Sequence, residues 1–400
     1  MAVTPTARTR PEAAPTKGTA APSVPFPIAS LKRARQGFDT GNLALGQSVS
    51  AIEIPAAGGF LRYIEMVCTG ITAGNSAATA FQADAPGNAL SFIEFLPPSG
   101  DPPIVPHTGY QLLLWNKYGA FSQTPPNSDP RRDAKQYSLT TGAGATGGSW
   151  TVCIRLPFEL DPNSGFGSIT NSAANKSYLL NLTVNTSAAI YTVAPTAPPT
   201  VRVIGWMYYW DEPAGNTRQG TSQQPGPLGL GSFSQLRIDQ PPVTAGDKYL
   251  KVNNAGPVLR SLGWVLRASN GTRASVTAGD VPLMWDFVFN TRDRFLISDL
   301  MLLSDMSEAY GYGLTWGTVT PADEAPGGLD TSVRWLPYFQ DEGGSIRPTG
   351  SRAQYQVTAD ATLTQIRGMS FGATVATMEI LSNLVRPSSA AALYPSNRIS

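Results

Sequence analysis

A catalytic or metal-binding reading of this 400-residue chain has few residues to start from. The only histidine is His107, at the end of the Pro-rich stretch Asp101-Pro-Pro-Ile-Val-Pro-His107, and the two cysteines, Cys68 and Cys153, stand far apart. Zinc sites draw several His or Cys ligands from short spacings, so this inventory excludes the common His/Cys patterns. A Ser-His-Asp triad around His107 would need a nucleophile presented on a sharp turn, and no Gly-x-Ser-x-Gly elbow occurs. Gly142-Ala-Gly144-Ala-Thr-Gly147 does satisfy the Gly-x-Gly-x-x-Gly expression of dinucleotide-binding loops. Such a loop works by ending a strand and opening a helix whose amides meet the pyrophosphate. Here the glycines run instead into the alternating segment Trp150–Leu156, which predicts a hairpin or loop. The acidic groups Asp323-Glu324 with Asp330, and Asp341-Glu342, lack EF-hand spacing and lie in Gly/Pro-rich stretches, which predicts solvated loops. The sequence therefore predicts no catalytic residue, no metal site and no cofactor.

One group of residues does suggest a partner. Residues 1–36 are rich in Pro, Ala and Thr and carry Arg8, Arg10, Lys17, Lys32, Arg33 and Arg35 against Glu12 alone. Such a composition buries too little apolar surface to offset ordering entropy, so an extended or disordered basic arm is expected, with a short basic helix over Ile28–Gln36. Six cations on one arm bind phosphate groups weakly, and many copies in one assembly multiply the effect. The formal net charge of the whole chain is +1, so no global field draws it to nucleic acid or membrane. No sequence-specific nucleic-acid binding is expected.

The elements that would carry these residues are strands. Charged residues make up 14% of the chain, well below the usual share of about a quarter, while glycine and proline contribute 39 and 34 residues. That mixture fits many short strands joined by many turns, and a surface covered by neighbours. Trp150, Val152, Ile154 and Leu156 alternate with polar positions, as do Tyr178, Leu180, Leu182 and Val184. Phe60–Cys68 is apolar on both faces apart from Arg62 and Glu65, which predicts a strand covered on two sides at a seam between modules. Phe295–Ala309 shows helical spacing. The cysteines lie within strand-like runs and read as free thiols in a reducing compartment. No run of eighteen apolar residues and no secretory h-region is present.

Internal repeats divide the chain. Gly58-Gly-Phe-Leu-Arg62-Tyr-Ile64 recurs as Gly256-Pro-Val-Leu-Arg260-Ser-Leu262, and Leu156-Pro157-Phe158 as Leu336-Pro337-Tyr338. Gly167-Ser-Ile169 followed by Tyr178 recurs as Gly344-Ser-Ile346 followed by Tyr355, so Tyr178 and Tyr355 are expected to head equivalent strands. The predicted organisation is a basic arm (1–36), a first β module (37–212), a Gly/Pro-rich linker (213–235), a second β module (236–386) and a short tail (387–400). Long connections are expected at about 84–110, 118–148 and 268–282.

With these features the chain resembles the double jelly-roll major capsid proteins of tectiviruses, the tailless, membrane-containing phages with double-stranded DNA. The resemblance is carried by Gln36-Gly-Phe38-Asp39, by Gly59-Phe60-Leu61 through Thr69-Gly-Ile71-Thr72, by Leu156-Pro157-Phe158 with Asp161, Gly167 and Ile169, and by Tyr178-Leu-Leu-Asn-Leu182. It implies an all-β fold of two tandem eight-stranded jelly rolls with a few short helices. It also implies a homotrimer of pseudo-hexagonal outline, tiling an icosahedral virion shell over an internal membrane, with assembly in the host cytoplasm. Penton and other minor capsid proteins would be further partners. Lys32, Arg33 and Arg35 would lie on the inner face, against the membrane or a neighbouring subunit. Two alternatives are a secreted or surface carbohydrate-binding or glycan-processing protein built on two β-sandwiches, and a small-virus coat protein with shell and protruding domains. The first calls for convergent acidic or histidine residues, and the second for a denser basic arm.

Overall fold

A computed structural model describes residues 24–72, 74–75, 77–98, 105–119, 137–161, 164–172, 177–213, 226–227, 230–252, 258–274, 279–289, 293–310, 332–337, 356–357 and 364–386. A short helix α1 (Phe26–Ala29) leads into strands β1 (Lys32–Leu43), β2 (Ser48–Ile54), β3 (Gly59–Ile71), β4 (Ala80–Phe81), β5 (Leu90–Leu96) and β6 (Val105–His107). Helix α2 (Gly109–Tyr118) then precedes β7 (Tyr137–Leu139), β8 (Trp150–Pro157), β9 (Ile169–Asn171) and β10 (Tyr178–Val184). Helix α3 (Ser187–Ile190), β11 (Tyr191–Val193) and β12 (Thr200–Asp211) close the first module. The second module holds β13 (Phe233–Asp239), β14 (Gly246–Lys251), β15 (Val258–Ala268), β16 (Met284–Phe289) and β17 (Asp293–Ser298). After helix α4 (Asp299–Tyr310) come β18 (Val333–Pro337), β19 (Gln356–Val357), β20 (Gln365–Phe371) and β21 (Val375–Arg386).

The two modules repeat each other strand for strand. In the first, one sheet runs β1-β12-β3-β8, extended by β7 and β9, and the other runs β2-β10-β5-β6. In the second, the sheets run β13-β21-β15-β18, with β19 added, and β14-β20-β16-β17. All the ladders are antiparallel. Two four-stranded sheets in this order make an eight-stranded jelly roll, so the chain is all-β with two jelly rolls in tandem. In each module a helix follows the fifth of these eight strands: α2 after β6, and α4 after β17.

The register confirms the repeat at residue level. Tyr63 pairs with Pro157 and Ile64 with Leu156, while Ser261 pairs with Pro337 and Leu262 with Leu336. Against the last strand of each module, Tyr63 pairs with Tyr208 and Leu61 with Tyr209, so the ladder skips Arg62. Ser261 pairs with Asn383 and Leu259 with Leu384, skipping Arg260. A bulge that re-aims one side chain thus sits at the arginine of the repeated block in both modules.

Alternating burial follows the strands. Trp150, Val152, Ile154 and Leu156 are buried and the residues between them are half-buried, as the pleat requires. In the second module Trp264 packs against Trp285 and Phe287 across the sandwich, with ring centroids 4.9 and 5.4 Å apart. A single continuous cluster of buried side chains runs through both modules, so they share a core.

Several expectations are corrected. Lys32–Gln36 is strand, not helix: these residues pair with Trp206–Trp210, completing the sheet along the edge of β12. The arm expected to end at 36 therefore contributes to β1, and β13 begins at Phe233, inside the stretch read as linker. The helix predicted from Phe295 begins at Asp299, and its first residues form edge strand β17. The connection expected at 84–110 holds a 3-10 turn (Gly87–Ala89), β5 and β6, and that at 118–148 holds β7. Tyr355, expected to head a strand equivalent to that of Tyr178, lies outside the described residues. It precedes β19, which pairs with β15 as β9 pairs with β3, and the strand equivalent to β10 is β20. Unequal connection lengths made that string match coincide.

Candidate assembly surfaces

Helix α2 is built by a capping box. Thr108 Oγ1 accepts from the Gln111 backbone N–H at 3.3 Å, and Gln111 Oε1 accepts from the Thr108 N–H at 2.9 Å. Asn116 fixes the helix to the edge of β8: its Nδ2 donates to the Arg155 carbonyl at 2.8 Å and its Oδ1 accepts from the Arg155 N–H at 2.7 Å. This side-chain amide takes the place of a further strand and covers an otherwise open edge. All ten residues of α2 are buried, because the second sandwich covers the face that the first leaves free.

That cover is the outer face of the sheet containing β15 and β21. Gln111 donates to Glu379 on β21. Glu379 also pairs with Arg267 Nε at 2.7 Å, and Arg267 Nη1 reaches Asp84 of the first module at 2.7 Å. Arg273 pairs with the same Asp84 at 2.9 Å, and both guanidinium groups lie over the Tyr110 ring, at 5.5 and 5.7 Å. Burial works against the charge of Arg267, yet Asp84 and Glu379 outweigh it and hold the side chain protonated. At the far end of α2, Tyr118 stacks on Trp335 at 5.6 Å and Arg260 Nη1 donates to the Gly119 carbonyl at 2.7 Å. Trp335 itself lies across Gly263, where a Cβ would meet the indole at 2.0 Å. His107 completes the seam: its Nε2–H donates to the Leu236 carbonyl on β13 at 2.8 Å, and burial lowers its pKa to about 4, so the ring is neutral.

Among the described residues, no counterpart of the α2 seam covers the equivalent surfaces at the other two ends of the pair. On the first module the outer face of β3, β12 and β8 carries Tyr63, Glu65, Val67, Thr69, Cys153, Arg155, Ile204 and Tyr208, mostly half-buried, with Trp206 40% exposed. Tyr63 stacks on Tyr208 at 4.4 Å, and Arg155 lies over Tyr63 at 4.0 Å. The two-sided apolar pattern of Phe60–Cys68 predicted a seam on this strand. Within the chain the covered strand is its counterpart β15. On the second module α4 exposes Leu300 and Met301, by 50% and 54%.

Lys32, Arg33 and Arg35 come together at one corner, each engaged within the chain. Lys32 Nζ lies 4.6 Å over the Trp210 ring, Arg33 pairs with Asp211, and Arg35 donates to the carbonyls of Ala56 and Pro55. Burial and the neighbouring Arg62 lower the Lys32 pKa, while the Asp211 hydrogen bond raises that of Arg33. Beside them Phe26 is fully buried edge-on against Phe60 and Trp210, at 5.4 and 5.5 Å. Trp210 in turn donates to Glu159 at 2.6 Å, and Glu159 pairs with buried Arg62 at 2.7 Å. Ile28 and Leu31 of this corner stand 76% and 62% exposed.

The remaining candidates do not converge on chemistry. The loop through Gly142 and Gly147 joins the hairpin β7–β8, as the strand after it required. Cys68 faces the core and Cys153 the opposite side of the sheet, since they sit beside Val152 and Val67 on adjacent strands; both are free thiols. The acidic groups at 323–330 and 341–342 lie outside the described residues. Among the described residues no cluster of His, Cys, Asp or Glu could hold a metal, and no helix is long and apolar enough to cross a membrane. Sequence reading missed α2 and the Asp84–Arg267–Glu379 network. The available signal was the Thr108-x-x-Gln111 capping box directly before Leu112-Leu-Leu-Trp115.

No protein-family model and no curated protein matches the sequence. Among solved structures, the chain is similar to the major capsid protein of STIV, with a TM-score of 0.57 and 13% identity over 92% of this chain and 100% of that one. The Faustovirus major capsid protein matches with a TM-score of 0.55 and 8% identity, covering 96% of this chain and 92% of that one. The major capsid protein of bacteriophage PM2 matches with a TM-score of 0.50 and 10% identity, covering 90% and 99%. Strand order, register and these likenesses agree: the chain has the double jelly-roll fold found in these viral major capsid proteins.

Proposed function

We propose that this protein is a major capsid protein that assembles as pseudo-hexagonal trimers, and that the trimers tile an icosahedral virion shell over an internal membrane. The carrying observation is the pair of near-equivalent sandwiches locked side by side by one head-to-tail seam, with no counterpart of that seam covering the matching surfaces at both outer ends among the described residues. A head-to-tail contact closes into a ring when its rotation permits. Three chains would present six similar modules around one axis. The fold supports the reading, because the solved structures it resembles are capsid proteins from three different viruses. The low share of charged residues fits a surface that neighbours cover.

The corner of Ile28, Leu31, Lys32, Arg33 and Arg35 is the proposed inner face. Exposed aliphatic side chains beside cations suit an anionic lipid surface, where each nearby Lys or Arg contributes about 1 kcal/mol. The proposed role is structural, not enzymatic, with penton and other minor capsid proteins as further partners. Size-exclusion with light scattering, followed by electron microscopy of the purified protein, tests the reading. A trimer with a hexagonal footprint is expected, and a concentrated protein that stays monomeric overturns it.

A further inference from the structure

We propose that the seam inside each chain is repeated between chains, with helix α4 of one copy seated on the outer face of the first sandwich of the next. The inference rests on the trimer reading above and names the surfaces that would build it.

Equivalence between the helices is fixed by contacts, not by sequence likeness. Asn116, the eighth residue of α2, holds the backbone N–H of Arg155. Met306, the eighth residue of α4, accepts through its sulfur from the N–H of Trp335 at 3.1 Å. Arg155 and Trp335 occupy the same place on the equivalent strands β8 and β18, opposite Glu65 and Gly263. Tyr110 and Gln111 of α2 therefore correspond to Leu300 and Met301 of α4. The first pair is buried in the seam, and the second is exposed.

The receiving faces correspond in the same way. Val265 pairs with Glu379 and Arg267 with Thr377. Val67 pairs with Ile204 and Thr69 with Arg202. Glu379 thus corresponds to Ile204, and Arg267 to Thr69. Inside the chain the helix brings Tyr110 and Gln111, and the face answers with Arg267 and Glu379. Between chains the helix brings Leu300 and Met301, and the face answers with Thr69 and Ile204, flanked by Val67 and exposed Trp206. Where Gln111 meets Glu379 inside the chain, Met301 would meet Ile204 between chains, so that pair has exchanged polar for apolar on both sides of the joint.

The exchange also sets specificity. An apolar helix placed on the second sandwich would leave Glu379 without the Gln111 amide, and α2 placed on Ile204 would bury an amide with no acceptor. Each helix thus suits one face, and the two module types alternate around the ring.

The test uses the full chain with Cys153→Ser as background. Met301→Cys combined with Ile204→Cys should cross-link under oxidation into species of two and three chains, while either substitution alone gives none. Met301→Asp, on an exposed site, should leave the melting temperature of the dissociated chain unchanged and raise the trimer dissociation midpoint at least ~10-fold. Trimers that neither cross-link nor respond to Met301→Asp overturn the inference while leaving the capsid reading standing. Cross-linked trimers that never form shells overturn the capsid reading and leave the joint standing. A wild-type chain that is monomeric and does not cross-link overturns both.

Discussion

Arg62 and Arg260 stand at the same bulge of the same strand in two sandwiches, but Arg62 binds Glu159 of its own module and Arg260 binds the Gly119 carbonyl of the other. Substituting Arg62→Met leaves Glu159 buried without its cation and should cost about 3–5 kcal/mol of stability. Arg260→Met removes one charged hydrogen bond across the seam and should cost about 1–3 kcal/mol. Urea unfolding followed by tryptophan fluorescence checks both. The Arg260 variant is also expected to split the transition in two as the modules lose coupling.

Arg267 joins Asp84 and Glu379 across the seam, so Arg267→Ala leaves Glu379 buried without this cation, while Asp84 keeps Arg273. A loss of about 3–5 kcal/mol is expected. Arg267→Ala combined with Glu379→Gln should be milder than the two single losses added together, because the charges are removed as a pair. A double-mutant cycle in urea reads this directly.

His107 makes the seam sensitive to acid. Its pKa falls from the ordinary 6.5 to about 4 because the ring is buried, so the unfolded chain takes up a proton before the folded one does. Stability is then full above pH 6.5 and declines as pH falls toward 4, by up to about 3 kcal/mol. Protonation would charge Nδ1, which is buried with no hydrogen-bond partner. His107→Asn should flatten that part of the stability profile, measured by melting temperature between pH 4 and 7.

Phe26 plugs the corner beside Trp210, and Phe26→Ala should remove about 3–5 kcal/mol of local packing. The expected sign is rapid hydrogen exchange over Val24–Leu31 with the two sandwiches otherwise protected.

Removing residues 1–23 spares Phe26 and β1, so trimers should form normally while particle yield drops. Unchanged particle yield would count against an inner-face role for the arm.

The sandwich strands were legible because their pleats alternate cleanly, as at Trp150–Leu156 and Tyr178–Val184. The repeat was legible where structure constrains the same residue types, at the bulge arginines and at the Leu-Pro steps ending β8 and β18. It misled at Tyr355, where loop lengths differ between the copies. Helix α2 left no amphipathic stripe because both of its faces are buried, one in each sandwich. Its seam was illegible because Arg267 meets partners 112 and 183 positions away, a pairing that exists only once both sandwiches have formed. The two-sided apolar strand was recognised, and within the chain the strand covered in this way is its counterpart β15.

A helix buried on every side also sets a timetable for synthesis. Helix α2 leaves the ribosome about 270 residues before β21, the strand that carries Glu379 and completes the face on which α2 rests. At ordinary elongation rates that interval lasts on the order of ten seconds to a minute. Throughout it Tyr110, Tyr118 and the neighbouring leucines have no second sandwich to cover them. The nascent first half is therefore the stage at which this chain most needs a chaperone, and the stage at which premature pairing between chains would start.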